Sequence, residues 1–473
     1  MNPGTFGGER RKWWTLAAVA FGLFMIMLDN TIVNVALPSI QRDLQVDLSQ
    51  LEWIVTGYAL TFAALMLIGG KVADAYGRRL VFVVGMAVFV LASLWCGLAD
   101  SGEMLIAARV VQGAGAALMN PATLSIIAAT FPPRQRGTAI GIWAGVSALA
   151  LAIGPLIGGL LTEHLSWHWI FFVNVPVGVI GIAASFLLID ESKDATHVRM
   201  DVPGLATSGI GLFALTYGLI EANNYGWTSA RILGAFAVAA VALVAFVELE
   251  RRQRAPMLDL ELFRSGTYAG ANIVIFLVAL AMFGVFFFVS IYMQNILGYS
   301  AIQAGAAFLP MTILIILVAP MAGRLSDRIG SRWLMTAGMA LLSVQLLYLS
   351  QLGQDESYWR LLPAMLIGGA GIAMTMTPSA AAAVRSVPVE KAGVGSAVLN
   401  ACRQVGGAVG IALMGAIMAH ELGRSLSPAG FMEGFQRANI VAAGFAAAGA
   451  LIATLLVRQH APGDRPAAAA EAA

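Results

Sequence analysis

Long stretches of this chain carry no charged side chain, and nothing else in it restricts the fold as severely. Residues 54–69 and 80–98 contain no Lys, Arg, Asp or Glu. An apolar run of ~20 residues matches the thickness of a bilayer core, where every backbone N–H and C=O needs a partner within the segment, so each run reads as a membrane-spanning helix. Fourteen such runs begin near residues 13, 51, 79, 103, 137, 168, 203, 230, 266, 302, 332, 358, 394 and 436. The expected fold class is an all-α integral membrane protein. Composition agrees: 59% of residues are hydrophobic and 11% are charged, against roughly 25% charged in soluble domains.

The charges lie mainly on one side. Of the 28 Lys and Arg, Arg42, Arg231, Arg360, Arg424 and Arg437 fall in odd-numbered loops and Arg109 and Arg403 inside spans. The rest lie in even-numbered loops and the termini, so the positive-inside bias puts both termini of this multi-pass chain in the cytoplasm; the cytoplasmic (inner) membrane is what the family resemblance given below implies. Arg10, Arg11 and Lys12 precede an apolar stretch that continues to Ile40 without a small-residue cleavage site, which makes it a retained helix and not a signal peptide. A net charge of +2 gives no reason to expect a nucleic-acid partner, and two cysteines inside apolar spans exclude a disulfide framework. The chain has no phosphate loop, zinc-protease string or nucleophile elbow. It is therefore read as a non-enzyme without cofactor, energised by an ion gradient.

The basic turn Gly70-Lys-Val-Ala-Asp-Ala-Tyr-Gly-Arg-Arg79 recurs 253 positions on as Gly323-Arg-Leu-Ser-Asp-Arg-Ile-Gly-Ser-Arg332. Pro132, Gly137 and Gly113-Ala-Gly115 recur 256 positions on as Pro388, Gly393 and Gly369-Ala-Gly371. The chain is a duplication whose offset exceeds six spans by the length of two helices. The expected layout is a cytoplasmic N-terminus (1–12), a six-helix bundle (13–190), a linker with two extra spans (191–265), a second six-helix bundle (266–457) and a disordered cytoplasmic tail (458–473).

The pattern Gly-Lys-x-x-Asp-x-x-Gly-Arg-Arg after the second span, repeated in weaker form, resembles the signature loop of the major facilitator superfamily. Fourteen spans, and a first span ending Leu28-Asp-Asn-Thr-Ile-Val-Asn-Val-Ala-Leu-Pro38, resemble the 14-helix family of drug:proton antiporters. In span four, Arg109-Val-Val-Gln-Gly-Ala-Gly resembles the motif of proton-coupled members, and Arg109, Gln112, Gly113, Ala116 and Asn120 share one face. In span five, Gly154-Pro-Leu-Ile-Gly-Gly159 resembles the exporters' motif; Gly154, Pro155, Gly158 and Gly159 would bend the helix and admit a neighbour, with Ala150 in place of the usual preceding glycine. Trp167-His-Trp-Ile-Phe-Phe-Val-Asn174 also resembles this family, with His168 where Arg is usual.

The resemblance implies a major facilitator fold and proton-coupled efflux of lipophilic small molecules by alternating access between the bundles. Asp29 and Arg109 would be the proton-coupling pair. Asn34, Gln112, Asn400, Arg403 and Gln404 would line the substrate cavity. Gly70, Asp74, Gly77, Arg78, Arg79 and Asp327 would form a cytoplasmic gate, with Asp74 near the start of span thirteen and Asp327 near the start of span five, where a helix's positive end favours a carboxylate. The implied partners are the substrate, protons and the lipid bilayer; accessory export proteins stay unknown. Two rivals stand beside this reading. One is export of one defined metabolite, siderophore or self-made antibiotic, and the other is a non-transporting membrane sensor.

Other residues read more blandly. Glu52 and Trp53 fall at the outer interface, Tyr58 packs or lines the cavity, Glu221 is interfacial, and Glu191 belongs to a solvated linker. His164 and His168, four apart, have a spacing compatible with a metal site but no third ligand nearby, so they read as part of an interfacial aromatic belt. The second-bundle spans offer Asn272, Gln345, Asn400, Gln404 and Arg403 but no Asp or Glu at mid-depth. A dication would find only Asp29. Cells expressing the protein should therefore gain more resistance to neutral and monovalent aromatic compounds than to bivalent cations, and a resistance profile led by bivalent cations would count against this.

Overall fold

The computed structural model describes residues 8–193, 201–253, 256, 258–387, 392–422 and 428–458. In chain order its helices are α1 (Gly8–Leu44), α2 (Leu48–Tyr76), α3 (Arg78–Gly97), α4 (Gly102–Thr130), α5 (Pro133–His164), α6 (Trp169–Phe172), α7 (Asn174–Leu188), α8 (Val202–Tyr225) and α9 (Ala230–Arg252). There follow α10 (Gly266–Ile291), α11 (Ala301–Ala307), α12 (Leu309–Ile329), α13 (Arg332–Leu349), α14 (Tyr358–Arg385), α15 (Ala392–Leu422) and α16 (Pro428–Leu456). Thirteen stretches are long and apolar enough to cross a membrane, and the bent α2, whose parts meet at 52°, makes fourteen. The protein is a multi-pass membrane protein, as the apolar runs require. The expected N-terminal segment lies outside the described residues up to residue 7, and so does the expected tail from residue 459, together with Pro388.

Helix ends follow local chemistry. Asp47 caps α2 through Gln50 N at 2.8 Å in a reciprocal capping box, and the hydroxyls of Ser101, Ser229 and Ser265 accept from the third residue of α4, α9 and α10. Two expected spans are broken. The sixth is divided at Val173 between α6 and α7, and the tenth at Phe308 between α11 and α12, just before Pro310, which has no N–H to donate. Hydropathy also misplaces two ends. The first helix runs past Ile40 to Leu44, and the last begins at Pro428 instead of near 436, because polar residues in the outer turns are held by the same helical hydrogen bonds as the apolar ones.

The chain forms two compact units, Met1–Gly209 with Tyr299–Ala306, and Ile210–Gly298 with Ala307–Ala473. In the first, α1 packs on α5, α2 on α4, and α3 on α4 and α7. In the second, α10 packs on α15, α12 on α14, and α13 on α14 and α16. The duplication extends to single backbone contacts. A Cβ on Gly85 would meet the carbonyl of Gly115 at 2.9 Å, and one on Gly338 would meet that of Gly371 at 2.8 Å. Gly113 lies against the carbonyl of Tyr58, as Gly369 lies against that of Met311. Gly154 abuts Thr31 of α1, and Gly410, 256 residues on, abuts Leu280 of α10. These glycines let two backbones touch where the helices cross, a device suited to membranes because lipid supplies no hydrophobic drive between helices.

The Gly154 to Gly159 motif of α5 packs on two sides. Gly154 and Gly158 face Thr31 and Ile32, while Gly159 faces Ala301. Gly305 faces the Pro155 carbonyl, and Ile302 N donates to Glu163 Oε2 at 2.9 Å, fastening the Tyr299–Ala306 segment within the first unit. In the second unit, Gly211 and Gly218 of α8 take Leu243 and Phe236 of α9, and Asn223 Nδ2 donates to the Ala416 carbonyl of α15 at 2.6 Å. The inserted pair is thus docked by a buried-type amide contact as well as by apolar packing. At the α10–α15 crossing, Gly406 lies against Phe276, whereas Gly444 of α16 meets nothing within 4 Å. Gly406→Val should destabilise the detergent-purified protein by about 1–3 kcal/mol or more, the range for overpacking. Gly444→Val should leave the thermal midpoint within a degree or so of wild type, and equal shifts in scanning fluorimetry would contradict the crossing's role.

Candidate functional site

The centre of the first unit is a sealed ion pair. Asp29 sits two-thirds along α1 and Arg109 two turns into α4, and their side chains are 0% and 1% exposed. Arg109 Nη1 donates to Asp29 Oδ2 at 2.5 Å and to Gln112 Oε1 at 2.6 Å, and Arg109 Nε donates to the Ile54 carbonyl of α2 at 3.1 Å. Gln112 Nε2 donates to Asp29 Oδ1 at 2.9 Å and to Ser93 Oγ of α3 at 2.8 Å. Asn174 Nδ2 of α7 reaches the same hydroxyl at 3.4 Å. Both carboxylate oxygens are satisfied. The guanidinium is also covered by rings, with Tyr58 4.2 Å and Phe171 5.8 Å from its Cζ.

The helical face read from α4 explains this convergence. Gly113 brings α2 close enough for Ile54 and Tyr58 to reach Arg109, and Arg109, Gln112 and Asn120 are all buried. Sequence reasoning left Tyr58 open and missed Ser93, Phe171 and Asn174, since one serine or aromatic residue in an apolar span carries no periodic signal. Glu52, expected at an interface, is buried in the protein. Asn34 is buried too, but its amide donates to the Asn30 carbonyl at 3.1 Å, a bond within its own helix. In the second unit, Asn400 likewise donates to Ser396 O at 3.1 Å, Gln404 is buried and Arg403 is half-buried.

The α2–α3 turn is clamped in an unexpected way. Gly77 adopts φ +124, a region costly to any residue with a Cβ, and the Glu191 carboxylate fills the space a Cβ would need. Glu191 accepts from Arg79 N and Leu80 N, each at 3.1 Å, and so caps α3, and Arg78 N donates to Ser192 O at 3.0 Å. Arg78 Nε pairs with Asp74 Oδ1 at 2.8 Å across the turn. Glu191, in a solvated linker and still exposed, is thus also an anchor for this turn. The side chain of Asp327 and residues 391–394 next to α15's first turn are among the side chains not described, so the expected gate contacts of Asp74 and Asp327 fall outside them.

Near the far end of α5, His168 stacks on Trp167 with ring centroids 3.8 Å apart, and Trp167 Nε1 donates to Asp43 Oδ2 at 2.7 Å. Burial holds the His168 imidazole below its usual range, against the opposing pull of Asp43. Among the described residues no group of three or more His, Cys, Asp or Glu side chains is arranged to hold a metal ion.

Removing one member of a buried pair leaves the other charge uncompensated, at a cost of ~3–5 kcal/mol. Asp29→Ala should therefore destabilise the protein strongly. Asp29→Ala combined with Arg109→Met should recover at least half of the loss. A double-mutant cycle in which the two changes simply add would contradict the pairing.

The chain matches the family model of the Major Facilitator Superfamily over residues 19–411 and again over 271–473. It is 37% identical over 88% of its length to a tetracenomycin C resistance and export protein of Streptomyces glaucescens, of which it covers 78%. It is 36% identical over 95% of its length to the puromycin resistance protein pur8 of Streptomyces alboniger, covering 91% of that protein. It is 37% identical over 89% of its length to the multidrug resistance protein Stp of Mycobacterium tuberculosis, covering 78% of that protein. Among solved structures, an inward-facing bacterial homologue of the human lysosomal transporter Spinster aligns with a TM-score of 0.69 at 18% identity, over 96% of this chain and 98% of that one, a likeness of fold alone. With the fourteen spans, the duplicated packing and these matches in hand, the chain belongs to the major facilitator superfamily.

Proposed function

We propose that the protein exports lipophilic drug-like molecules across the cytoplasmic membrane, in exchange for protons, by alternating access. The export half of this reading is supported by relatives named for antibiotic resistance and export, which match 85% or more of the chain. The proton half is supported by one observation: a carboxylate and a guanidinium, both sealed in a membrane-spanning unit, with every carboxylate oxygen held by Arg109 or Gln112. Ionisable groups at such depth are costly and serve function.

Arg109 keeps its charge at any accessible pH, so Asp29 is the group that takes up the proton. Protonation would cancel the ionic half of the pair, free Arg109 Nη1 and Gln112 Nε2, and loosen α1 from α4. Exchange requires proton and substrate binding to oppose each other, so substrate should bind more tightly as pH rises, with release of protons. The positive-inside distribution supports placing both termini, and the clamped α2–α3 turn, on the cytoplasmic side.

Relatives named for one compound and others named for several drugs support, respectively, a single-compound and a multidrug exporter. A panel of dyes and drugs in inverted vesicles separates the two by breadth. In those vesicles Asp29→Asn, which keeps the hydrogen-bonding shape, should abolish uptake driven by a pH gradient while leaving substrate exchange down its own gradient. Gradient-driven uptake at the wild-type rate would remove Asp29 from the coupling role.

A further inference from the structure

The duplication shows where the two units have diverged. Extending the 253-residue offset of the repeated turn back along α1 aligns α1 with α10, and matching Gly113 with Gly369 aligns α4 with α14. At that register Asp29 corresponds to Met282 and Arg109 to Met365, both buried apolar residues. The second unit has no counterpart of the ion pair there. Its buried polar groups include Gln345 of α13 and Asn439 of α16, and a further set on α10 and α15.

Three residues of that set stand at one level of the two packed helices. Gly406 lies against Phe276, and Gly410, one turn on, lies against Leu280, so α10 and α15 run parallel in fixed register. One turn before that contact stand Asn272, four residues before Phe276, and Arg403, three before Gly406, with Gln404 beside it. Asn272 and Gln404 are buried. Asn272 Nδ2 donates to the Tyr268 carbonyl at 2.9 Å, but Asn272 Oδ1, Arg403 Nε and Gln404 Nε2 are buried with no hydrogen-bond partner. Among the described residues Arg403 has no ion pair either. The helix α10 contains no Asp or Glu, and the acid of α15, Glu421, lies near its opposite end beside Arg437.

Such a group is expensive to keep. Arg403 stands eleven residues after Ala392, about 16 Å along the helix, too deep for a chance surface charge. Each orphan donor or acceptor adds the cost of lost hydration. In the first unit the equivalent cost is met by a built-in carboxylate. Here the chain supplies two donors, one of them cationic, and one acceptor, but no anion.

We propose that Asn272, Arg403 and Gln404 form a subsite for an acidic group of the exported molecule, a carboxylate or phenolate flanked by a hydroxyl. The anionic oxygen accepts from Arg403 Nε and Gln404 Nε2, and the hydroxyl donates to Asn272 Oδ1. A cationic group at the same place is repelled by Arg403. The subsite deepens the export reading and rests on it, but it fails separately.

The test is equilibrium binding of hydroxynaphthoate and of its methyl ester to the purified full-length protein by calorimetry. The two probes share ring and hydroxyl and differ in the charge. Wild type should bind the acid about tenfold more tightly than the ester. Arg403→Gln should remove that preference by weakening the acid alone, and Arg403→Lys should restore part of it. Equal affinities in wild type, or an unchanged acid-to-ester ratio in Arg403→Gln, overturn the proposal. If Arg403→Gln does not purify as a monodisperse protein, Gln404→Met takes its place, with a fall in the ratio supporting the subsite and a wild-type ratio overturning it. Gradient-driven uptake in wild-type vesicles is read independently. Its absence sinks the export reading without touching the binding ratio.

Discussion

A charge inside a bilayer has to be answered by the protein, and the first unit is arranged around how Arg109 is answered. Its donors reach an acid on α1, a carbonyl on α2 and an amide on α4, and the amide goes on to a serine on α3. Four helices therefore have to stand at fixed depth and rotation for one guanidinium to be satisfied. Replacing this network with apolar residues would cost less in stability, since buried pairs seldom add to it. Its presence fits the proposal above, in which the unit needs a charge that can be switched.

The same accounting separates the halves of the chain. Both use glycines to set backbones against each other at corresponding crossings, which fixes helix geometry without committing any side chain. Polar chemistry was then free to differ, and it does: a self-satisfied pair in one unit, and a buried set of orphan groups around Arg403 in the other. In the proposed exchange, the first would close on a proton and the second would be completed by cargo.

Much of this was legible in the sequence because membranes make sequences explicit. Apolar runs gave the spans, the repeated turn gave the duplication, and Asp29, Arg109 and Gln112 stood out as polar residues where polarity is costly. Ser93, Phe171 and Asn174 did not, because their role comes from helices distant in sequence converging on one atom. Glu191 was hidden for a different reason. A carboxylate in a charged stretch looks solvated until the geometry shows two backbone N–H groups aimed at it.

That last contact has a consequence for how the protein is made. Glu191 is separated by 112 residues from the Arg79 amide it caps. At translation rates of ~5–20 residues per second, the α2–α3 turn waits roughly 6–20 s after synthesis before its latch exists. Until then α3 has an uncapped start, and the turn is held only by the Arg78–Asp74 pair and local backbone bonds such as Gly77 N to the Ala73 carbonyl. Two late arrivals therefore complete the first unit, the stretch just after α7 and then the Tyr299–Ala306 segment, so a chain stalled before residue 299 is still unfinished there.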